Sequence, residues 1–413
     1  MNKTIDKRIT HLINNKVNYI SGTISPSATS REHIESLGKG LSQMYEIYEK
    51  HPECNFVSVQ VKHMGSRLQY YYFPNDMASS YCVTRNGYKC KLLDDESIAI
   101  YIKLTKIYET LKSIDFVEPD AKLIIFDGEL MPWKKLGDSI INHNYTNVAS
   151  SIESEEKMLI ESGFYDKHND LIKQFDDSGF ADEKNCSSKK LCEKYGESMY
   201  QTYKAIKENR LRYESREERE KYLNLFNRQL DLYAKDGPTD YEPFSVLKIV
   251  YDYKEVIPYI LDPVLNPKSL CVVGLYSIIS EHAGLILDIS VPFKENYEIL
   301  EMFWKRVCDE GHEGIILKPN YIFFDVPQYI KVRNPDYLSI IYGFDYTNPQ
   351  RYEALKAKKH INKKLQLSIN ETIAGYDLLK VPYSQLTTDD GYAKLLERFL
   401  ILQDTEKLID VAL

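Results

Sequence analysis

Residues 134–237 split the chain into two stretches of β-like segments, and no single uninterrupted sheet domain accommodates that order. Before the split, Val57-Ser-Val-Gln-Val61 alternates with period two and Leu68–Phe73 is rich in β-formers. Tyr81–Thr84 and the apolar Leu123-Ile-Ile-Phe126 add two further strands, and Thr84-Arg85-Asn86-Gly87 carries the hairpin dipeptide Asn-Gly. After it, β-like segments return at 244–251, 270–276, 314–318, 328–332 and 337–342. Between them Glu and Lys dominate, 197–235 has helical spacing with charges of both signs, and a Cys/Ser/Lys-rich stretch (185–190) breaks the run. The pattern predicts a mixed α/β core interrupted once by a helical insert. Helices are also expected at 32–50, with Ile34, Leu37, Leu41, Met44, Ile47 and Tyr48 on one face, at 95–113, and at 295–310. The expected division is 1–133 (first part of the core), 134–237 (insert), 238–344 (second part of the core) and 345–413 (a helical C-terminal module).

Composition bounds the function class. With 43% apolar and 28% charged residues the 413-residue chain is an ordinary globular protein, and no apolar run reaches the ~18 residues of a membrane span. The first residues lack the apolar segment of a secretory signal, so a cytoplasmic location is expected and no membrane partner. The seven cysteines are scattered and none forms Cys-x-x-Cys, so neither a disulfide framework nor a zinc site is expected. A net charge of −8 argues against a duplex binder relying on bulk positive field, while leaving room for a local basic groove.

The chemistry concentrates in a few motifs. In Val61-Lys62-His63-Met64-Gly65-Ser66-Arg67 a lysine ends a strand and glycine follows three residues later, which suits a lysine nucleophile fixed beside a nucleotide. His63 is expected on the other side of the strand, toward packing or solvent. Phe126-Asp-Gly-Glu129-Leu-Met-Pro-Trp133 sets Glu129 where a strand exits. Glu313-Gly-Ile-Ile-Leu-Lys318 has an acidic residue entering a strand and a lysine leaving it. In Tyr329-Ile-Lys331-Val-Arg333 two cations share one strand face. Lys62, Lys331 and Arg333, bordered by Glu129 and Glu313, suit a triphosphate with Mg²⁺ or Mn²⁺.

Taken in order, these motifs resemble the covalent ligase and capping-enzyme nucleotidyltransferase superfamily. The ligase (adenylyltransferase) domain of bacterial polynucleotide kinase–phosphatase (Pnkp) RNA repair enzymes is the nearer likeness. Its features here are Lys62-His-Met-Gly-Ser-Arg67, Glu129-Leu-Met-Pro-Trp133, Tyr241-Glu-Pro-Phe244 and Lys331-Val-Arg333 followed by Tyr337–Gly343. The likeness spans roughly 30–345. Most polynucleotide ligases and capping enzymes carry Asp two residues after the lysine, where this chain has Met64. That departure disfavours a generic DNA ligase or guanylyltransferase. The resemblance implies an α+β fold: a nucleotidyltransferase, ATP-grasp-like ligase core of antiparallel sheets with a helical insert and a helical C-terminal module.

It also implies an activity, that of an ATP-dependent RNA ligase in RNA repair. Lys62 would attack ATP to form lysyl–AMP, pass AMP to a 5′-phosphate RNA end, and let a 3′-OH displace it. The amine must be neutral although free lysine titrates near ~10.4, and neighbouring cations are expected to lower it. By the same resemblance Lys331 and Arg333 would stabilise transition-state charge. Arg67, Arg85, Glu129, Phe244 and Lys318 would bind ATP, and Glu313 with Glu129 would serve the Mg²⁺ or Mn²⁺. The residues alone also permit a surface ion pair at Arg67, a turn role for Arg85, core packing for Phe244 and a plain strand end at Lys318. No P-loop kinase or phosphoesterase motif is present. The same resemblance implies partners: RNA with 5′-phosphate and 3′-OH ends (broken tRNA among them), a kinase and phosphatase that heal the ends, and a 3′-terminal RNA ribose 2′-O-methyltransferase. The competing readings are a DNA ligase, a capping-type guanylyltransferase, or a catalytically silent RNA-repair scaffold.

Overall fold

The computed structural model of the chain describes residues 3–22, 27–28, 33–183, 186–210, 213–260, 274–357, 361–386 and 390–406. In chain order its strands are β1 (Phe56–Lys62), β2 (Ser66–Tyr72), β3 (Tyr81–Thr84), β4 (Lys89–Cys90), β5 (Leu123–Met131), β6 (Asp240–Val250), β7 (Glu255–Val256), β8 (Leu285–Asp288), β9 (Gly314–Pro319) and β10 (Ile330–Arg333). They form two sheets, ordered β10-β9-β1-β8 and β4-β3-β2-β5-β6-β7, with every pairing between these strands antiparallel. The chain divides into two compact units: Met1–Asp138 with Leu232–Asn334 and Lys358–Leu413, and Ser139–Asp231 with Pro335–Ala357.

The first unit holds both sheets. In the four-stranded sheet, strand alternation sorts residues cleanly between its faces. Val57, Val59, Val61, Ile315, Leu317, Ile330 and Val332 are buried with Leu41, Met44 and Ile47 of helix Leu37–Lys50 and with Leu300, Phe303 and Val307 of helix Phe293–Asp309. Full burial of each such aliphatic side chain is worth about 1.5–3 kcal/mol, so this face fixes the register. The opposite face then carries Gln60, Ile316 and Lys331 in one row and Lys62, Gly314 and Arg333 in the next. In the six-stranded sheet, Leu68, Tyr70, Tyr72, Ile124 and Phe126 pack with Ile100, Leu104, Tyr108 and Leu111 of helix Asp94–Ser113. Tyr71, Ile125 and Leu247 join a separate core with Leu12 of helix Lys3–Asn14 and with Leu378, Phe399 and Leu400 of the last two helices. The end of helix Ile361–Lys380 is held by buried Lys248, whose Nζ donates to the carbonyls of Leu379 at 2.6 Å and Val381 at 2.9 Å.

The second unit is helical. Phe175, Phe180, Leu191, Tyr200 and Tyr203 form its core, and Arg219 ties Glu155, Glu156 and Glu214 together.

Two expectations need correcting. Tyr337–Tyr342, read as a strand, belongs to the helix Pro335–Tyr342: proline opens it, and Ser339 Oγ bonds back to the Asp336 carbonyl at 2.7 Å. Residues 335–357 group with the second unit and 361–406 with the first, so the boundary expected at 344/345 has no counterpart. The run 270–273 lies outside the described residues, and Leu275–Ile279 is helical. Strand β8 went unread because Leu285–Asp288 is too short to display a period.

Candidate active site

Lys62 ends β1 directly opposite Gly314 of β9, and Gly314 is in turn opposite Arg333 of β10. Gly314 has φ +131°, and a Cβ there would run into the Val332 carbonyl and Arg333 Cα, so only glycine lets the strands close at this row. Its predecessor Glu313 is buried and its side chain pairs with the Lys62 ammonium. The second Glu313 oxygen accepts from Tyr233 Oη at 2.8 Å. Arg333 is held by Glu35: Nε donates at 2.7 Å and the backbone N–H at 2.7 Å, with the Glu35 side chain only 2% exposed. Lys331, on the same face and 5% exposed, has no ion pair among the described residues. Burial first, then Arg333, holds its pKa well below the ordinary lysine range.

The six-stranded sheet supplies the other residues. Gly65, after the nucleophile candidate, lets β2 start against β5, since a Cβ there would sit 2.6 Å from the Leu130 carbonyl. Arg67 on β2 lies opposite Glu129 on β5 and grips buried Asp127 through Nε at 3.1 Å and Nη2 at 2.5 Å. Phe244 is the extra residue where the β5–β6 register slips, a bulge that leaves its ring half-exposed in mid-strand. Arg67 lies 5.6 Å and Lys318 4.5 Å from the centre of that ring. Burial, partly offset by Asp127 and reinforced by Arg67, brings the half-buried Lys318 down to about 7.

Glu129 is half-buried, and among the described residues no hydrogen bond closes on its carboxyl. Burial foremost, with like charge from Glu313 and Asp127, pushes it up to about 8 against the pull of Lys62 and Arg67. A carboxyl left without a donor beside a second carboxylate fits a hard divalent cation, which prefers oxygen ligands.

The structure therefore brings Lys62, Lys331 and Arg333 onto one sheet face with Glu313 paired to Lys62, and sets Arg67 and Lys318 against the Phe244 ring. Arg85 is half-buried at the tip of the β3–β4 hairpin, its backbone N–H bonded to the Arg67 carbonyl at 3.2 Å. Sequence reasoning passed over four residues that hold these groups: Asp127, Glu35, Tyr233 and Tyr329, the last 3.5 Å from Arg67 Nη1. Asp127 was visible inside the Phe126–Glu129 motif. Glu35 and Tyr233, far away in sequence, carried no local signal.

The family described as PNKP adenylyltransferase domain, ligase domain, matches residues 11–208 and 282–386. Two solved structures align over 100% of this chain and 100% of theirs at 28% identity: one of a Pnkp1/Rnl/Hen1 complex (TM-score 0.78) and one of the Pnkp1/Rnl/Hen1 RNA repair complex (TM-score 0.82). No curated protein matches by sequence. The motif series, the two-sheet core and the match over most of the length agree, and the chain belongs to the PNKP adenylyltransferase, ligase-domain family.

Proposed function

We propose that the chain is an ATP-dependent RNA ligase of RNA repair acting through a lysyl–AMP intermediate at Lys62. The observation that carries this reading is the Lys62–Glu313 pair, with Lys62 on one sheet face with Lys331 and Arg333. In the first step Nζ gives up a proton, with Glu313 as the contacting base, and its lone pair attacks the α-phosphorus. An N–P bond forms, the Pα–O bond breaks, and pyrophosphate leaves. Lys331 and Arg333, preplaced on β10 on the far side of β9, offset the charge that develops on phosphate. Phe244 offers a half-exposed ring for the adenine, and Arg67 and Lys318 border it. Glu313 and Glu129 would hold a Mg²⁺ or Mn²⁺, whose chemistry is to neutralise phosphate oxygens. AMP then moves from Lys62 to an RNA 5′-phosphate, and the 3′-OH attacks that phosphate, releasing AMP and joining the strands.

The neighbouring RNA repair complexes support partners of two kinds for this chain: a kinase–phosphatase that supplies 5′-phosphate and 3′-OH ends, and a methyltransferase acting on the 3′-terminal ribose. The test is a sealing assay on broken tRNA with those ends, with ATP and Mg²⁺ or Mn²⁺, with and without such partners. Joined product dependent on ATP is expected. Joining or protein labelling with GTP alone contradicts the reading.

A further inference from the structure

Behind the nucleophile's strand lies a second group of side chains that the ligation chemistry does not use. His63, the residue after Lys62, is 4% exposed. Its ring lies 4.6 Å from that of His282 and 5.9 Å from that of His312, and the latter two are 5.2 Å apart. Glu242 of β6, 1% exposed, completes the group. One ligand atom each of His63, Glu242 and His282 lies within 4.8 Å of the others.

Three imidazoles packed together are a poor core on their own account. Burial and the neighbouring rings hold His63 well below the ordinary histidine range, so it is neutral with a lone pair to offer. Its Nε2 meets Tyr276 Oη at 3.3 Å, whereas Nδ1 is buried with no hydrogen-bond partner among the described residues. Glu242 is oriented as ligating carboxylates are, by hydrogen bonds to its own oxygens. Oε1 accepts from Ser280 Oγ at 2.5 Å and from the Glu281 N–H at 2.6 Å. Oε2 accepts from Lys103 Nζ at 2.8 Å, and that ammonium also meets Asp240 and Glu281 at 3.1 Å. Three carboxylates against one ammonium leave a formal net −2 beside the imidazoles, a charge that one divalent cation cancels.

We propose that His63, His282 and Glu242 form a structural binding site for a borderline divalent transition-metal ion such as Zn²⁺, with His312 near enough to serve as a fourth ligand. Imidazole with carboxylate suits such an ion and not Mg²⁺, which separates this site from the Glu129–Glu313 pair. Tetrahedral ligands at ~2.0–2.2 Å stand about 3.4 Å apart, so side-chain rotation must close the present group by roughly an ångström. The bound ion would pin the end of β1, in one sheet, to β6 in the other, one residue from Lys62. Cysteine spacing carried no sign of it because the donors are imidazoles.

The test is metal titration of the full chain after chelator treatment, following Zn²⁺ by calorimetry and Co²⁺ by its visible absorption. One equivalent is expected, with affinity falling at least tenfold in His282→Ala and unchanged in Glu313→Gln. On the unaltered chain, the imidazole ¹⁵N resonances of His63 and His282 should shift on Zn²⁺ addition, a readout that stands even if a variant does not fold. No Zn²⁺ binding by the unaltered chain, equal binding in a folded His282→Ala, or unmoved imidazole resonances would overturn the proposal.

Discussion

Glu313 binds Lys62 from the end of the neighbouring strand, one carboxylate oxygen on the ammonium and the other accepting from Tyr233 Oη at 2.8 Å. The contact depends on Gly314, which lets β9 approach β10 closely, and on the Asn334 N–H, which bonds to the Glu313 carbonyl at 2.7 Å. Glu313 is thus fixed in backbone and side chain alike, and Lys62 is the member of the pair free to leave it for a substrate.

Replacing the fixed carboxylate should therefore injure chemistry more than folding. Glu313→Gln is expected to slow self-adenylylation on the order of 10²- to 10³-fold. Tyr233→Phe, which only loosens the carboxylate, should cost about tenfold, near the value of one hydrogen bond to a charged group. Single-turnover label incorporation measures both. Equal effects of the two changes would show that Glu313 acts only as a scaffold.

The Glu35–Arg333 pair makes the opposite prediction. Both side chains are buried, so Glu35→Ala leaves a guanidinium without its partner and should destabilise the chain by about 3–5 kcal/mol. The double change Glu35→Leu with Arg333→Met should recover much of that stability without restoring adenylylation. Urea titration reads the first effect and label incorporation the second.

Glu129 gives a pH signature. Its carboxyl, pushed up to about 8 in the fold against about 4.3 in an unfolded chain, binds its proton more tightly when folded. Stability from this group is therefore present below about pH 4.3 and lost as pH rises through about 8. Lys318, brought down to about 7, acts in the other direction, gaining stability as pH rises from about 7 toward its unfolded value. Thermal melts of the unaltered chain and Glu129→Gln should diverge between pH 5 and 8, the variant gaining on the unaltered chain. A difference that stays constant across that range contradicts the assignment.

Phe244 separates binding from chemistry. Its half-exposed ring contributes little to the core, so Phe244→Leu should leave the melting temperature nearly unchanged. Loss of base stacking, about 1–3 kcal/mol, should raise the KM for ATP roughly fivefold to a hundredfold with a smaller change in kcat. A large fall in stability with unchanged KM would return Phe244 to a packing role.

The strands that carry the site were legible because they obey local rules. Val57–Val61 alternates, the lysine and glycine of Lys62–Gly65 mark a strand end, and Lys331 and Arg333 fall on one face by spacing alone. What escaped was set by contacts distant in sequence. Glu35 meets Arg333 across 298 positions and Tyr233 meets Glu313 across 80, and no periodicity records such pairs. The helix Pro335–Tyr342 was misread because an apolar run of that length has no distinguishing period, although Pro335 was a usable start signal. Net charge was silent on the site. The acidic total says little about a site whose cations are gathered on two sheets.

The central claim is that Lys62 is the residue that takes AMP. The chain should be incubated with ATP labelled on the α-phosphate and a divalent metal, quenched, and the labelled peptide identified by mass spectrometry. The account predicts one acid-labile, base-stable adenylate per chain, on Lys62, absent from Lys62→Ala while circular dichroism shows that variant still folded. Adenylate on another residue, or undiminished labelling of Lys62→Ala, would contradict it.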